Sequence, residues 1–471
     1  MKKVFLAALT LLLATAGMAA AEETWLEIGG DYRFRYDYLK GTVHDYTQLV
    51  PSSLAGGAPA GMPVYGYSTK NTALLTNRFG LNLKANPVED VTMKARLLMY
   101  KIYGHQTAEP GLGYFGDRNN LFGTNDGTVG HVPEDSIIRA DYVYATISNI
   151  FDMPIWFSVG RRPSTGGMPG NYRLNKEKMG TAGIPNLLVD YAFDGATLGF
   201  APDIEALPGA YAKLCAGKGF DSGFRGDPAP LNPQTGLKDT DFIGLNVVPF
   251  DTENLHIEAQ YQVGKHLFDR PSDAGVGANL GDIEWYGGVV TTKVGNLNIF
   301  ASAAVSKTDP TGAMGIYDVD GDGVTDAAGG LLNMPGSTEP HSGTAYYVGG
   351  RFDIAATGTK IGAEYNHGSK YWIGMVPAAD DIWTGKLGTR GDVYEVYIIQ
   401  SLNRKPVAKR GDAFVRLGYQ EYNFDYTGSN FWIGPPVSIS DLQATTDVNQ
   451  ANFFAAVDKA KDIYLTFDFV F

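Results

Sequence analysis

The chain has 471 residues, with 38 Lys and Arg against 51 Asp and Glu, and a formal net charge of −13. That acidic balance excludes a nucleic-acid binder that works by neutralising phosphates. Glycine at 59 residues, tyrosine at 27 and a charged fraction of only 19% exclude both a disordered chain and a polytopic helical membrane protein, which needs repeated apolar runs of about 20 residues. What is left is an ordered β protein rich in turns.

Met1-Lys2-Lys3, the apolar stretch from Val4 to Ala16 and the small residues Ala19-Ala20-Ala21 have the order of a secretory signal peptide, too short to be a membrane span. The expected mature domain is therefore 22–471, and losing Lys2 and Lys3 takes its charge from −13 to −15. Cys215 is the single cysteine. It allows neither an intrachain disulfide nor a Cys-x-x-Cys-His haem attachment, so no haem is expected.

From Leu26 to Tyr38, Leu26, Ile28, Tyr32, Phe34, Tyr36 and Tyr38 alternate with Glu27, Asp31, Arg33, Arg35 and Asp37. This period of two predicts one strand with an apolar and a charged face. Thirteen residues exceed an ordinary sandwich strand of about 5–6 and suit a tilted bilayer crossing of about 9–11. Paired segments of the same kind follow, joined by short turns. Phe79/Leu81/Leu83/Ala85 lead through 86–90 into Val91/Met93/Ala95/Leu97/Met99, with Arg78, Lys94 and Arg96 on the other face. Ile138/Ala140/Tyr142/Tyr144, opposed by Arg139 and Asp141, turn at 148–154 into Ile155/Phe157/Val159. Leu187/Val189/Tyr191/Phe193 precede a weakly patterned return strand at 210–218. Ile243/Leu245/Val247 turn into Leu255 to Val263, whose inner face is His256/Glu258/Gln260/Gln262. Val289/Thr291 turn into Leu297 to Val305. Tyr346 to Ile354 turn into Ile361/Ala363/Tyr365, with Glu364 inside. Tyr394/Val396/Ile398 turn into Ala413 to Tyr419, with Arg416 inside.

Loop 307–343 contains Asp318-Val319-Asp320-Gly321-Asp322-Gly323-Val324-Thr325-Asp326. Asp at positions 1, 3, 5 and 9 with Gly at 6 is the first part of an EF-hand-type Ca²⁺ loop. The expected ligands are Asp318, Asp320, Asp322 and Asp326. Gly329 stands where the bidentate Glu belongs, so another loop would have to complete the site. A solvated acidic turn is the rival reading.

The last segment places Ile463, Leu465, Phe467, Phe469 and Phe471 on one face. Left open, such an edge invites aggregation; closing it on the first strand abolishes it. The segments sum to an all-β, transmembrane antiparallel β-barrel of sixteen strands (fourteen to eighteen within boundary uncertainty), with long extracellular loops and short periplasmic turns. Its expected pore-lining residues are Arg33, Arg35, Arg78, Lys94, Arg96, Arg139, Asp141, Glu258, Glu364 and Arg416, around a lumen too wide for side chains to fill.

The alternating C-terminal strand ending in Phe471 and the segment Ser158-Val159-Gly160-Arg161-Arg162-Pro163 resemble the Gram-negative outer-membrane porins, general and phosphate-type. At the level of architecture the resemblance spans the whole chain. It implies outer-membrane lipid and lipopolysaccharide as surroundings, recognition of Phe471 by the barrel-assembly machinery, and a homotrimer. It also implies that the third long loop, 161–186, folds inward as a constriction carrying Arg161, Arg162, Arg173, Lys176 and Lys178. A cationic eyelet favours anions. In the rival reading these cations pair with wall carboxylates or with lipopolysaccharide. The function implied is a passive porin for small polar or ionic solutes. A barrel sheath around a separate multihaem cytochrome is the alternative. A barrel enzyme comes last, because no nucleophile, His and carboxylate converge.

Overall fold

The computed structural model describes residues 25–104, 133, 136–222, 237–269, 277–317, 323–376, 381–402, 411–452 and 455–471. Residues 1–21, read as a signal peptide, lie outside these.

Sixteen strands form a closed antiparallel barrel. They are β1 (Leu26–Val43), β2 (Tyr67–Val88), β3 (Val91–Ile102), β4 (Arg139–Ile147), β5 (Ile155–Pro163), β6 (Ala192–Phe200), β7 (Tyr211–Phe220), β8 (Thr240–Asp251), β9 (Leu255–Phe268), β10 (Asn279–Val294), β11 (Leu297–Pro310), β12 (Ser342–Ile354), β13 (Thr359–Gly368), β14 (Gly391–Ser401), β15 (Asp412–Phe424) and β16 (Val457–Val470). Each pairs with its chain neighbours, and the ring closes where β1 meets β16, in register from Asp31↔Val470 to Val43↔Val457. Phe471 N and Gly30 N extend the seam by donating to each other's carbonyl oxygens at 2.9 and 2.8 Å. A side chain at Gly30 would put its Cβ 2.6 Å from the Gly80 carbonyl and 2.7 Å from the Phe471 ring, so the closure requires glycine there. The strand number and the alternation of short and long connections follow the periodicity of the sequence.

The outer face carries a continuous apolar belt. Val143, Phe157, Leu198, Leu214, Leu245, Val290, Ile361, Val396, Leu417 and Phe469 are all exposed.

Three expectations of sidedness are overturned. First, the register shifts between Arg96 and Leu97 against β4, a bulge that puts one extra residue on a strand and reverses side-chain direction beyond it. Tyr144 consequently faces inward and is buried, while Val143 is exposed. Secondly, Val289 and Thr291 are buried inside, and Val290 faces out; the run Val289-Val290-Thr291-Thr292 has no alternation to orient it. Thirdly, Leu187 and Val189 lie not in a strand but inside the barrel, fully buried, and β6 starts only at Ala192.

The wide, empty lumen is overturned as well. Two long connections turn into the barrel, 164–191 and, in its described residues, 369–376 and 381–390. They meet in a parallel bridge where Met375 N donates to Leu188 O and Asp190 N to Met375 O, at 3.0 and 2.7 Å. Leu187, Leu188, Val189, Trp372, Ile373 and Leu387 pack there against inward side chains of the wall, Trp285, Phe300 and Tyr347 among them. A second core at the long-loop end joins Leu39, Val43, Leu74 and Ile102 of the wall to Ile382 and Trp383. At about 25 cal/mol per Å², burying such residues stabilises the inward fold over a solvated loop. The lumen admits an apolar plug because its wall turns from charged (Arg33, Arg35, Asp37) to apolar (Leu39, Val43) along β1.

Candidate functional site, a partly filled lumen

Inward side chains are buried around most of the wall, Arg33, Arg35, Arg78 and Arg96 of β1 to β3 among them; near the short-turn end Glu27 and Lys94 are exposed and Lys84 is half-buried. The plug is held to the far wall by charge. Arg173, on the helical turn Gly170–Leu174, pairs with Asp381 of the second inward segment and, at 3.3 Å, with Glu395 of β14. Lys386 donates to both Glu364 and Glu395 at 2.5 Å. Tyr347 and Tyr464 donate to Glu364 and Glu395 at 2.5 and 2.6 Å, and Gln420 to Asp381 at 2.9 Å. Buried ions persist only when paired and hydrogen-bonded in this way. For Arg173 burial acts against the charge, but Asp381 and Glu395 outweigh it and hold the guanidinium well above its ordinary pKa.

Backbone groups of the plug are gripped too. Arg416 donates to Arg173 O at 2.8 Å, Arg351 to Tyr172 O at 2.8 Å and Lys213 to Thr181 O at 2.8 Å. Arg390 donates to the carbonyls of Trp372, Thr427 and Phe431 at 2.8–3.0 Å, tying the second segment to the connection after β15. Trp285 Nε1 donates to Ile373 O at 2.6 Å and Trp372 Nε1 to Leu387 O at 2.8 Å.

Of the ten expected pore-lining residues, Arg33, Arg35, Arg78, Arg96, Asp141, Glu258, Glu364 and Arg416 are buried rather than facing open space. Arg35 pairs with Asp37 and Asp462 at 2.6 and 2.9 Å. Glu258 accepts from Asn246 at 2.8 Å and lies 3.2 Å from His256. Arg33 pairs with Asp468. Arg96 reaches Asp31 at 2.6 Å, Asn82 at 2.7 Å and Asp141 at 3.5 Å, and Arg78 stands 4.0 Å from Asp31. Arg139 is half-buried and Lys94 exposed.

The five cations assigned to a constriction separate. Arg161 belongs to β5, not to the inward loop. It shares the outward parity of Phe157 and Val159, 3.6 Å from Asp194 of β6. Arg162 is on the inner side of β5, bonded to Thr197 and 5.5 Å from the Tyr144 ring centroid. Both are corrections: the strand runs on to Pro163, so the inward turn begins after them. Arg173 is consumed by the buried network. Lys178 is tethered to Asp251 at the end of β8, which also accepts from His256 Nδ1 at 2.9 Å. Lys176, with Glu177, is exposed to water while enclosed by the barrel and faced by Arg78, Asp31, Arg96 and Arg33. That enclosure, then the Arg78 charge, pushes its ammonium down to about 8.

Sequence reasoning missed the second inward segment. The signal was there: Tyr371-Trp372-Ile373-Gly374-Met375-Val376 is too apolar for a solvated loop. Of the Ca²⁺-type run, Asp318, Asp320 and Asp322 lie outside the described residues. Asp326 is buried, and its carboxylate accepts the Ser52 backbone N–H at 2.8 Å, at the start of the short helix Ser52–Ala55.

Geometry and charge define a sixteen-stranded β-barrel whose own loops fold into its lumen. The chain belongs to the family described as "Protein of unknown function (DUF3373)", whose model matches residues 68–471. No curated protein matches it. Among solved structures it is similar to the anion-selective porin from Comamonas acidovorans, at 10% identity and a TM-score of 0.44 over 95% of this chain and 99% of that one. It is similar to Salmonella typhi OmpF in complex with daunomycin, at 10% identity and 0.44 over 94% and 97%, and to the trimer form of Vibrio cholerae OmpT, at 10% and 0.42 over 95% and 99%.

Proposed function

We propose that the protein is an outer-membrane channel for small charged solutes, with a passage beside Lys176 of the plug along the charged wall of β1 to β3. The apolar belt supports a bilayer setting, since a contiguous exposed apolar surface of this extent is not tolerated in water. The observation that carries the channel reading is Lys176: exposed, yet enclosed by the barrel opposite a charged wall. A free ammonium on the plug, with Arg78 and Arg96 across from it, favours anions. The chain's own plug occupies volume that a haem protein would need, which counts against the sheath reading, and no catalytic role is proposed. Reversal potential in a salt gradient tests the proposal. The wild type should favour anions and Lys176→Glu should move the preference toward cations. Failure of the folded protein to conduct would overturn the channel reading.

A further inference from the structure

We propose that His367, Asp392 and Asp425 form a binding site for a first-row divalent cation such as zinc, on the outside of the barrel at its long-loop end. The three come from neighbouring strand ends. His367 is the penultimate residue of β13, Asp392 the second of β14 and opposite it in register, and Asp425 follows directly after β15. One ligand atom of each lies within 4.8 Å of the other two. A tetrahedral zinc with bonds of about 2.0–2.2 Å requires ligand atoms about 3.3–3.6 Å apart, so the site assembles when the His367–Asp392 pair, 2.9 Å apart, opens slightly around the ion and Asp425 completes it. The imidazole argues against calcium and magnesium, which take oxygen donors, and for a borderline metal.

The supporting contacts are those of a metal site. Tyr365 donates its hydroxyl to Asp392 Oδ1 at 2.7 Å, and the same oxygen is 2.9 Å from His367 Nδ1. The Tyr346 ring stacks on the imidazole at 5.3 Å and 28°, fixing its plane. Such outer contacts orient ligands and tune affinity. Asp425 is placed by its backbone N–H, which donates to Arg390 O at 3.0 Å, while the Arg390 side chain is itself bolted into the plug. Two carboxylates here face one imidazole. Among the described residues no Lys or Arg forms a salt bridge with Asp425. A bound dication relieves that repulsion. The site is independent of the channel reading, because it lies on the outer surface rather than in the lumen.

The test uses the full chain folded in detergent, freed of metal and titrated with ZnCl₂ by calorimetry. The wild type should bind one equivalent at a site whose affinity falls about 10- to 100-fold in His367→Ala and in Asp425→Asn. The second substitution is isosteric and lies at the surface, so folding is retained; the mobility of the unboiled barrel on a gel checks this. Failure of the wild type to bind zinc stoichiometrically, or undiminished binding in the His367→Ala/Asp425→Asn double variant, overturns the assignment.

Discussion

Arg416 of the barrel wall donates from Nη1 to the carbonyl oxygen of Arg173 on the plug, at 2.8 Å. Arg173 is bound to Asp381 and Glu395, and Arg416 lies 5.1 Å from the centroid of the Tyr464 ring. The wall therefore recognises the plug through main chain and charge together. Replacing Arg173 by Ala leaves Asp381 and Glu395 with Lys386 as the remaining cation beside Glu395. Breaking a buried pair in this way costs about 3–5 kcal/mol. The expected result is faster hydrogen exchange across 164–191 and a larger single-channel conductance, with the barrel intact.

Trp372 joins the two inward segments to the wall and is fully buried. Trp372→Ala should destabilise the inward fold by about 3–5 kcal/mol. Limited proteolysis should then cut within 369–390 in the folded barrel, where the wild type resists.

Gly418 is needed where Tyr464 crosses it. A Cβ there would stand 2.1 Å from Tyr464 Cζ, and the ring is not free to swing because its hydroxyl donates to Glu395 at 2.6 Å. Gly418→Ala should lower stability by about 1–3 kcal/mol, read as a lower unfolding midpoint in urea.

The Lys176 ammonium is pushed down to about 8, so it is charged below that pH and neutral above it. Anion preference should therefore decline as pH rises through about 8. Lys176→Arg, whose guanidinium does not titrate in this range, should abolish the decline. Reversal potentials at pH 6 and pH 10 decide this.

The strands were legible because the apolar outer face imposes a period of two on each of them, from Leu26 onward and again up to Phe471. The contents of the lumen were not. Reading apolar as outward assumes a polar interior, and this interior is apolar where the plug packs. Val289, Leu187 and Phe193 were consequently assigned to the wrong side, and the bulge opposite Leu97 reversed Tyr144 without any mark in the sequence. Among the loop cations, spacing alone could not separate Lys176 from Arg173. What separates them is Asp381, more than 200 residues further along, which takes Arg173 and leaves Lys176 in water. Arg161 was misplaced by the length of β5, because a strand that continues through Gly-Arg-Arg-Pro looks like the start of a loop.

The most direct test of the passage is accessibility at residue 176. In a Cys215→Ser background, Lys176→Cys should conduct, and a small anionic thiol reagent should reduce its anion current within one channel as the introduced thiol is modified. Complete modification of that thiol, verified by mass, with no change in current would contradict a passage beside residue 176 along the wall of β1 to β3.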